Sequence, residues 1–174
     1  MTLASVISTP RLRLRRPEPS DLPAYTAYYM GPRSHFVRGP YTEDECFEKF
    51  ATVLGHWQIR DYGRYTITLD DTAIGHVGPL GIDANKPPEL TWTLWDGAHE
   101  GNGYATEAAI AMRDHLLGDQ GWPLLEILVQ PDNKPSVRVA EKLGAQLTDL
   151  PAPDWYPGCL TYHLTSESIG EALQ

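Results

Sequence analysis

The chain has 174 residues, 41% of them hydrophobic, and a formal net charge of −9. This is enough apolar material for one compact domain, and no stretch approaches the roughly 18 consecutive apolar residues of a membrane span. The acidic balance argues against a broad nucleic-acid surface and is compatible with a cationic partner such as an amine or a basic peptide.

The first strand is expected at "RLRLR" (11–15), where alternation turns leucines inward and arginines outward. "SDLPAYTAYYM" reads as a helix with Ser20 as N-cap and Pro23 in the first turn, stopped by Gly31-Pro32. A second helix is expected over 42–60. Thr42 and Glu45 form a capping-box pattern, and Phe47, Phe50, Ala51, Leu54 and Trp57 fall on one face. Residues 63–82 read as two strands around an Asp70-Asp71 turn, the second bent by Gly75, Gly78 and Gly81. "ELTWTLWD" (89–96) is a further strand, followed by a helix of about four turns ending near Gly118. "LLEILVQ" (124–130) reads as a buried strand, and a loop then leads to a helix stopped by Gly144. "AQLTDL" and "CLTYHLT" close the chain as strands. A mixed α/β sheet in a single domain spanning 1–174, with its core at about 9–164, is expected.

The N-terminus lacks an apolar signal core, so a cytoplasmic location is expected. Cys46 and Cys159 lie outside any CxxC pair, and no His/Cys cluster has zinc spacing. Two reduced thiols and no metal follow as expectations.

"HEGNGYATEAA" (99–109) lies between a strand and a helix. The first amides of a helix have no internal partner, and the helix dipole adds partial positive charge there. Gly101 and Gly103 would let those amides approach an anion such as a diphosphate. The stretch is neither a P-loop, since Tyr104 follows Gly103, nor a dinucleotide fingerprint, since the third position is Thr106. A second strand–loop–helix junction follows in "VQPDNKPSVRVAEKLG".

Together, "EGNGYATEA" (100–108) and "NKPSVRVAEKLG" (133–144) resemble the GCN5-related N-acetyltransferase (GNAT) superfamily. The opening "TPRLRLRRPEPSDL" is similar to the branch of ribosomal-protein N-terminal (alanine/serine) acetyltransferases. The resemblance covers about 9–164. It implies a centrally splayed mixed sheet of about six to seven strands, flanked by about four helices.

It also implies acetyl-coenzyme A as co-substrate, its diphosphate cradled by the R/Q-x-x-G-x-G/A motif. Gly103 and Ala105 match the last two fixed positions, while Glu100 stands where Arg or Gln is usual. A carboxylate beside a diphosphate is unfavourable, so the Glu100 side chain is expected to face solvent. Gly101, Asn102, Gly103, Tyr104, Ala105 and Thr106 become the candidate diphosphate residues. Backbone groups of Thr93, Leu94 and Trp95 are implied to pair with the pantetheine arm as an added strand would. Asn133 is a helix N-cap and, by resemblance, a coenzyme contact. Arg138 and Lys142 are placed to reach the 3′-phosphate or simply to be solvated.

The implied reaction is direct acetyl transfer to an amine, either a protein N-terminus or a small primary amine. An aliphatic amine arrives mostly as ammonium and needs a proton acceptor. Glu89 is the first candidate base and Asp96 the second, each with an alternative as a strand-end or turn-capping carboxylate. Glu107 fits a first-turn acid that stabilises the helix dipole. The family's acid is often a tyrosine four residues before the closing glycine, and that position is Ala140. Ser136 is the candidate replacement, or an ordinary first-turn residue. His76 and His163 are strand residues that could be core, rim or base.

A catalytically degenerate coenzyme A-binding module is the alternative, motivated by Glu100 and Ala140. A phosphate- or nucleotide-binding protein resting on Gly101 and Gly103 alone is a third reading. Either a monomer or a homodimer is compatible with the sequence.

Overall fold

The computed structural model describes residues 2–172. Eight strands form one sheet: β1 (Val6–Ser8), β2 (Arg13–Arg15), β3 (Tyr65–Leu69), β4 (Thr72–Leu80), β5 (Glu89–Leu94), β6 (Leu125–Val129), β7 (Gln146–Leu147) and β8 (Leu160–Leu164). Their spatial order is β1-β2-β3-β4-β5-β6-β8-β7. Every pairing is antiparallel except β5–β6. The helices are α1 (Leu22–Met30), α2 (Glu43–Arg60), α3 (Tyr104–Arg113), α4 (Lys134–Lys142) and α5 (Ser166–Ala172). The sheet is thus larger than the six to seven strands expected, because β1 is too short for a periodic pattern to announce it, while the strand expected in "AQLTDL" is the two-residue β7.

In β2 the pattern works as read: Leu12 and Leu14 are buried. Its arginines serve the fold. Arg15 grips buried Asp21 through two hydrogen bonds of 2.9 and 2.8 Å, and Arg16 stacks 4.4 Å from the Trp57 ring. The N-cap of α1 is Asp21 rather than Ser20, because a 3-10 turn over Pro19–Asp21 precedes the helix and Asp21 closes a capping box on Glu18. Thr42 and Glu45 do cap α2 reciprocally. Its buried face is Cys46, Phe50, His56 and Trp57, whereas Phe47 is 62% exposed and Ala51 faces solvent. The helix presents only a narrow stripe to the sheet, so the two outer positions of the expected face remain wet.

Asp70 and Asp71 both adopt positive φ (47° and 63°), the geometry of a tight hairpin turn. The bend foreseen in β4 appears as a register shift opposite Ile67 and Thr68. Gly75 is required there: a Cβ would lie 2.2 Å from the Thr93 carbonyl oxygen. The helix after the glycine turn ends in a wide π-helical turn over Asp114–Asp119, close to Gly118.

Alternate residues of the central strands feed two cores. Tyr65, Ile67, Ile74, Val77, Met112, Leu125 and Leu143 belong to the larger one, with α3 and α4. Tyr25, Tyr28, Tyr29, Cys46, Phe50 and Trp95 form the smaller one under α1 and α2. Both cysteines are buried and unpaired. Among the described residues no helix is long and apolar enough to cross a membrane, and no cluster of His, Cys, Asp or Glu could hold a metal.

Candidate active site

The parallel strands β5 and β6 meet at a single rung, Glu89 opposite Glu126. Beyond it β5 stays with β4 and β6 stays with β8, so the two diverge. The wedge between them opens into a cavity of about 1420 Å³. Glu89, Thr93, Leu94, Gly101, Gly103, Tyr104, Ala105, Thr106, Asn133 and Ser136 all line it. The wedge therefore brings together residues from three separate stretches of the chain. Asn102 and Trp95 are not among the lining residues.

The ladder decides which backbone groups of β5 are free. The Trp95 N–H donates to the Ile74 carbonyl at 2.8 Å, toward β4. In an antiparallel ladder the direction alternates, so Thr93 also faces β4, while Leu94 and Trp92 turn to the open edge. Pro79 agrees with this register, since it has no N–H and sits opposite Leu90, another outward position. Of the three residues expected to offer backbone groups, Leu94 alone faces the wedge, and its partner there is Trp92. The reason is a two-residue repeat that spacing alone cannot phase. The Trp95 side chain is buried and donates through Nε1 to His76 Nδ1 at 3.0 Å.

At one mouth of the wedge, Gly101 and Gly103 have φ of 75° and 80°, and Gly103 is the N-cap of α3. No side chain caps this helix, so its first amides are left for solvent or an anion. The Asn102 side chain closes the turn by donating to the carbonyls of His99 and Glu100. From the β1–β2 hairpin, Arg11 donates to the Asn102 carbonyl at 2.9 Å and stacks 4.6 Å from the Tyr104 ring. Glu107 accepts from Arg11 and from Thr9, which fixes its role as structural. Glu100 is not simply solvated: it pairs with Arg33, whose guanidinium also donates to the carbonyls of Leu94 and Trp95. On the opposite arm, Asn133 Oδ1 accepts from the Ser136 amide at 3.4 Å and caps α4. Arg138 and Lys142 line the cavity with exposed side chains.

Glu89 sits at the apex. Burial pushes its carboxyl up to about 7; Arg64 opposes the shift and Glu126 adds to it. A carboxylate with this value can accept a proton near neutral pH. Glu126 is followed across β8 by His163, whose Nε2 lies 3.6 Å from Glu126 Oε2. Asp96 accepts from the Ala98 amide and caps a turn, so it is the structural member of the pair of candidate bases. His76 is held well below its ordinary value by burial and by Arg64, and it accepts from Trp95. It is a neutral core histidine. Ala140 is fully buried in the larger core, so nothing at that position faces the wedge.

The family model of the acetyltransferase (GNAT) domain matches residues 11–146. This chain belongs to the GNAT acetyltransferase family. An acetyltransferase of Agrobacterium tumefaciens strain C58 is similar over 95% of this chain and 97% of its own, with a TM-score of 0.85 and 36% identity. YkkB of Bacillus subtilis is 48% identical over 98 residues, 51% of this chain and 56% of that protein; the match thus spans about half the length of that relative. RimL, a ribosomal L7/L12 alpha-N-protein acetyltransferase in complex with coenzyme A, shares the fold, with a TM-score of 0.76 and 18% identity over 94% of this chain and 99% of its own.

Several residues of this GNAT domain were not singled out by sequence reasoning. Arg33 comes from a 3-10 turn (Pro32–Val37) and Arg64 from the residue before β3, neither within a motif, and each enters the cavity only through folding. Tyr156 donates to the Phe36 carbonyl, and Trp155 stacks on it at 5.5 Å, so the β7–β8 loop is tied to the segment after α1 and lines the GNAT wedge.

Proposed function

We propose that this chain transfers the acetyl group of acetyl-coenzyme A to a primary amine, with Glu89 as general base. The observation that carries this reading is the single β5–β6 rung. It places a carboxyl of raised pKa at the apex of a wedge whose mouth is a glycine turn with unused helix amides. The residues present fit the coenzyme. Trp92 and Leu94 turn their backbone N–H groups to the open edge of β5, where an amide-bearing arm fits, while their carbonyls accept from Thr93 Oγ1 and Arg33. The turn at Gly101–Gly103 and the first amides of α3 suit a diphosphate. Asn133 and Ser136 face them across the wedge.

Bound acetyl-coenzyme A supplies a thioester carbonyl as electrophile. Glu89 takes a proton from the incoming ammonium, so that the amine nitrogen has a free electron pair to attack that carbonyl. A new C–N bond forms and the C–S bond breaks. The second proton shed by the attacking nitrogen is passed to the departing thiolate through Ser136, or through water that it holds, so the serine ends the step unchanged. The two buried, reduced thiols are in keeping with action in the cytoplasm. The acceptor is a small primary amine or a protein N-terminus.

The first test follows thermal stability with acetyl-coenzyme A, coenzyme A, ATP and NAD. A ligand at 100 times its Kd adds about 2.7 kcal/mol to the folded state. Stabilisation by the coenzyme A species alone is expected. Equal stabilisation by ATP or NAD, or none by any of the four, would overturn the reading.

A further inference from the structure

We infer that the amine acceptor carries an anionic group, a carboxylate or a phosphate, and that Arg38, Lys49 and Arg64 hold it. This rests on the acetyl-transfer reading above and extends it to the acceptor side of the wedge.

The chain is acidic overall, yet Arg38, Lys49 and Arg64 all line the cavity. Arg33, the other arginine on the acceptor side of the cavity, is paired with Glu100, as Arg11 is with Glu107, Arg15 with Asp21 and Arg113 with Asp114 elsewhere. Among the described residues, no carboxylate lies within 4.0 Å of Arg38, Lys49 or Arg64. Each is instead oriented by neutral groups. The Lys49 ammonium stands 4.3 Å from the centre of the Tyr41 ring. Arg38 stacks 5.5 Å from Trp155 and donates to its carbonyl at 3.3 Å. Arg64 donates through Nε to Thr91 Oγ1 at 2.8 Å.

All three line one cavity, and Arg38 and Arg64 are each near enough to act on Lys49. Burial and then Arg38 lower the Lys49 pKa; Glu45 opposes them, and Arg64 adds to the lowering. Glu45, one turn before Lys49 on α2, offsets them only in part: its Oε2 is turned to the Thr42 amide and hydroxyl, and no contact within 4.0 Å joins it to Lys49. Three half-buried or rim cations without an anion repel each other, and a bound carboxylate or phosphate removes that repulsion. Arginine forks and a lysine ammonium suit either group.

Glu89 and Glu126 line the same cavity, and Arg64 acts on Glu89. The wall therefore offers carboxylates to an ammonium at the apex and cations to an anion nearer α2. An acceptor with both charges fits this polarity. A simple cationic amine, which the net charge of the chain favours, would meet like charge on its way in.

The test is a set of matched acceptors at saturating acetyl-coenzyme A. O-phosphoethanolamine is compared with ethanolamine, L-tyrosine with tyramine, and tetrapeptides beginning Ala-Asp with those beginning Ala-Lys. Released coenzyme A thiol is the readout. In at least one pair the anionic member should have a kcat/KM higher by about tenfold or more, equivalent to about 1.4 kcal/mol. The phosphate, amino-acid and peptide arms distinguish the sources of the anion. In Lys49→Met and Arg38→Gln the ratio within that pair should collapse, through KM of the anionic member. Neutral or cationic members turning over as well in every pair, or a ratio that survives both substitutions, would overturn the inference.

A second measurement needs no turnover: with coenzyme A saturating the glycine turn, inorganic phosphate should raise Tm of the wild-type protein and not of Lys49→Met. No effect on the wild type would also count against the subsite. Failure of coenzyme A itself to bind is a different result, which removes the acetyl-transfer reading.

Discussion

Glu89 and Glu126 face each other at the one rung that joins β5 to β6. Two carboxylates at the apex of a splayed sheet are an unfavourable pair unless one of them holds its proton. Burial and the neighbouring Glu126 raise the Glu89 pKa to about 7, against the pull of Arg64. Acetyl transfer should accordingly rise with pH through an apparent pKa near 7. Glu89→Gln should remove that limb and lower kcat/KM by about 10²–10⁴-fold. Stability runs the other way. Between 4.5 and about 7 the folded state binds more protons at this position than the unfolded chain does, so stability falls as pH rises through that window. Glu89→Gln should therefore gain on the wild type in folding stability above pH 7, by on the order of 1–2 kcal/mol, seen as a higher Tm, and lose that gain near pH 4. Melting curves at the two pH values check this, and a pH–rate profile unaltered by the substitution would exclude Glu89 as the base.

Arg33 neutralises the carboxylate that stands at the start of the glycine turn. Removing the guanidinium leaves Glu100 uncompensated beside the expected diphosphate, and it frees the carbonyls of Leu94 and Trp95. Arg33→Ala should weaken coenzyme A binding by about tenfold. Adding Glu100→Gln should recover most of it. Calorimetric titration of the two single variants and the double variant closes the cycle. An additive result would show that the pair does not act as a unit.

Gly103 holds φ of 80° as the N-cap of α3. Alanine at this position is strained in the left-handed region, at a cost of about 1–2 kcal/mol, whatever space surrounds it. Gly103→Ala should lower stability by that amount and weaken coenzyme A binding further, since relief of the strain rotates the first amides of α3. Urea unfolding with and without coenzyme A separates the two effects. Equal loss in both conditions would make the glycine punctuation only.

Asp21 is 2% exposed and accepts from Arg15, from the Glu18 amide and from Thr66 Oγ1. Burial opposes its charge, but these partners outweigh burial and hold its carboxyl below the ordinary value of 3.8. Its contribution is present above that value and is lost as pH falls through the depressed folded one. Asp21→Asn should cost about 2–3 kcal/mol at pH 7, because it leaves Arg15 and Thr66 unmatched. The deficit should shrink in acid. Denaturant midpoints at pH 7 and pH 3 give the comparison.

Much of this protein could be read from its sequence because the signals are local. The Thr42–Glu45 box, the Asp70-Asp71 turn, the glycine stop at 144 and the uncapped glycine turn before α3 each depend on a few adjacent residues. Alternation in β2 also sufficed to bury Leu12 and Leu14. The two glycine-and-asparagine junctions at 100–108 and 133–144 carried the family, because their residue types are dictated by backbone amides and caps rather than by distant packing.

Tertiary structure alone decided how those pieces meet. The phase of β5, which turns Trp92 and Leu94 outward instead of Thr93 and Trp95, follows from its ladder with β4. The raised pKa of Glu89 follows from its depth and from Glu126, which is 37 positions away in the chain. Arg33, Arg38, Lys49 and Arg64 are unremarkable surface cations in the sequence, and only folding brings them to one cavity. Local propensity fixes a turn or a cap, but a charge gains its meaning from what lies within a few ångströms, and that is set by contacts between distant segments.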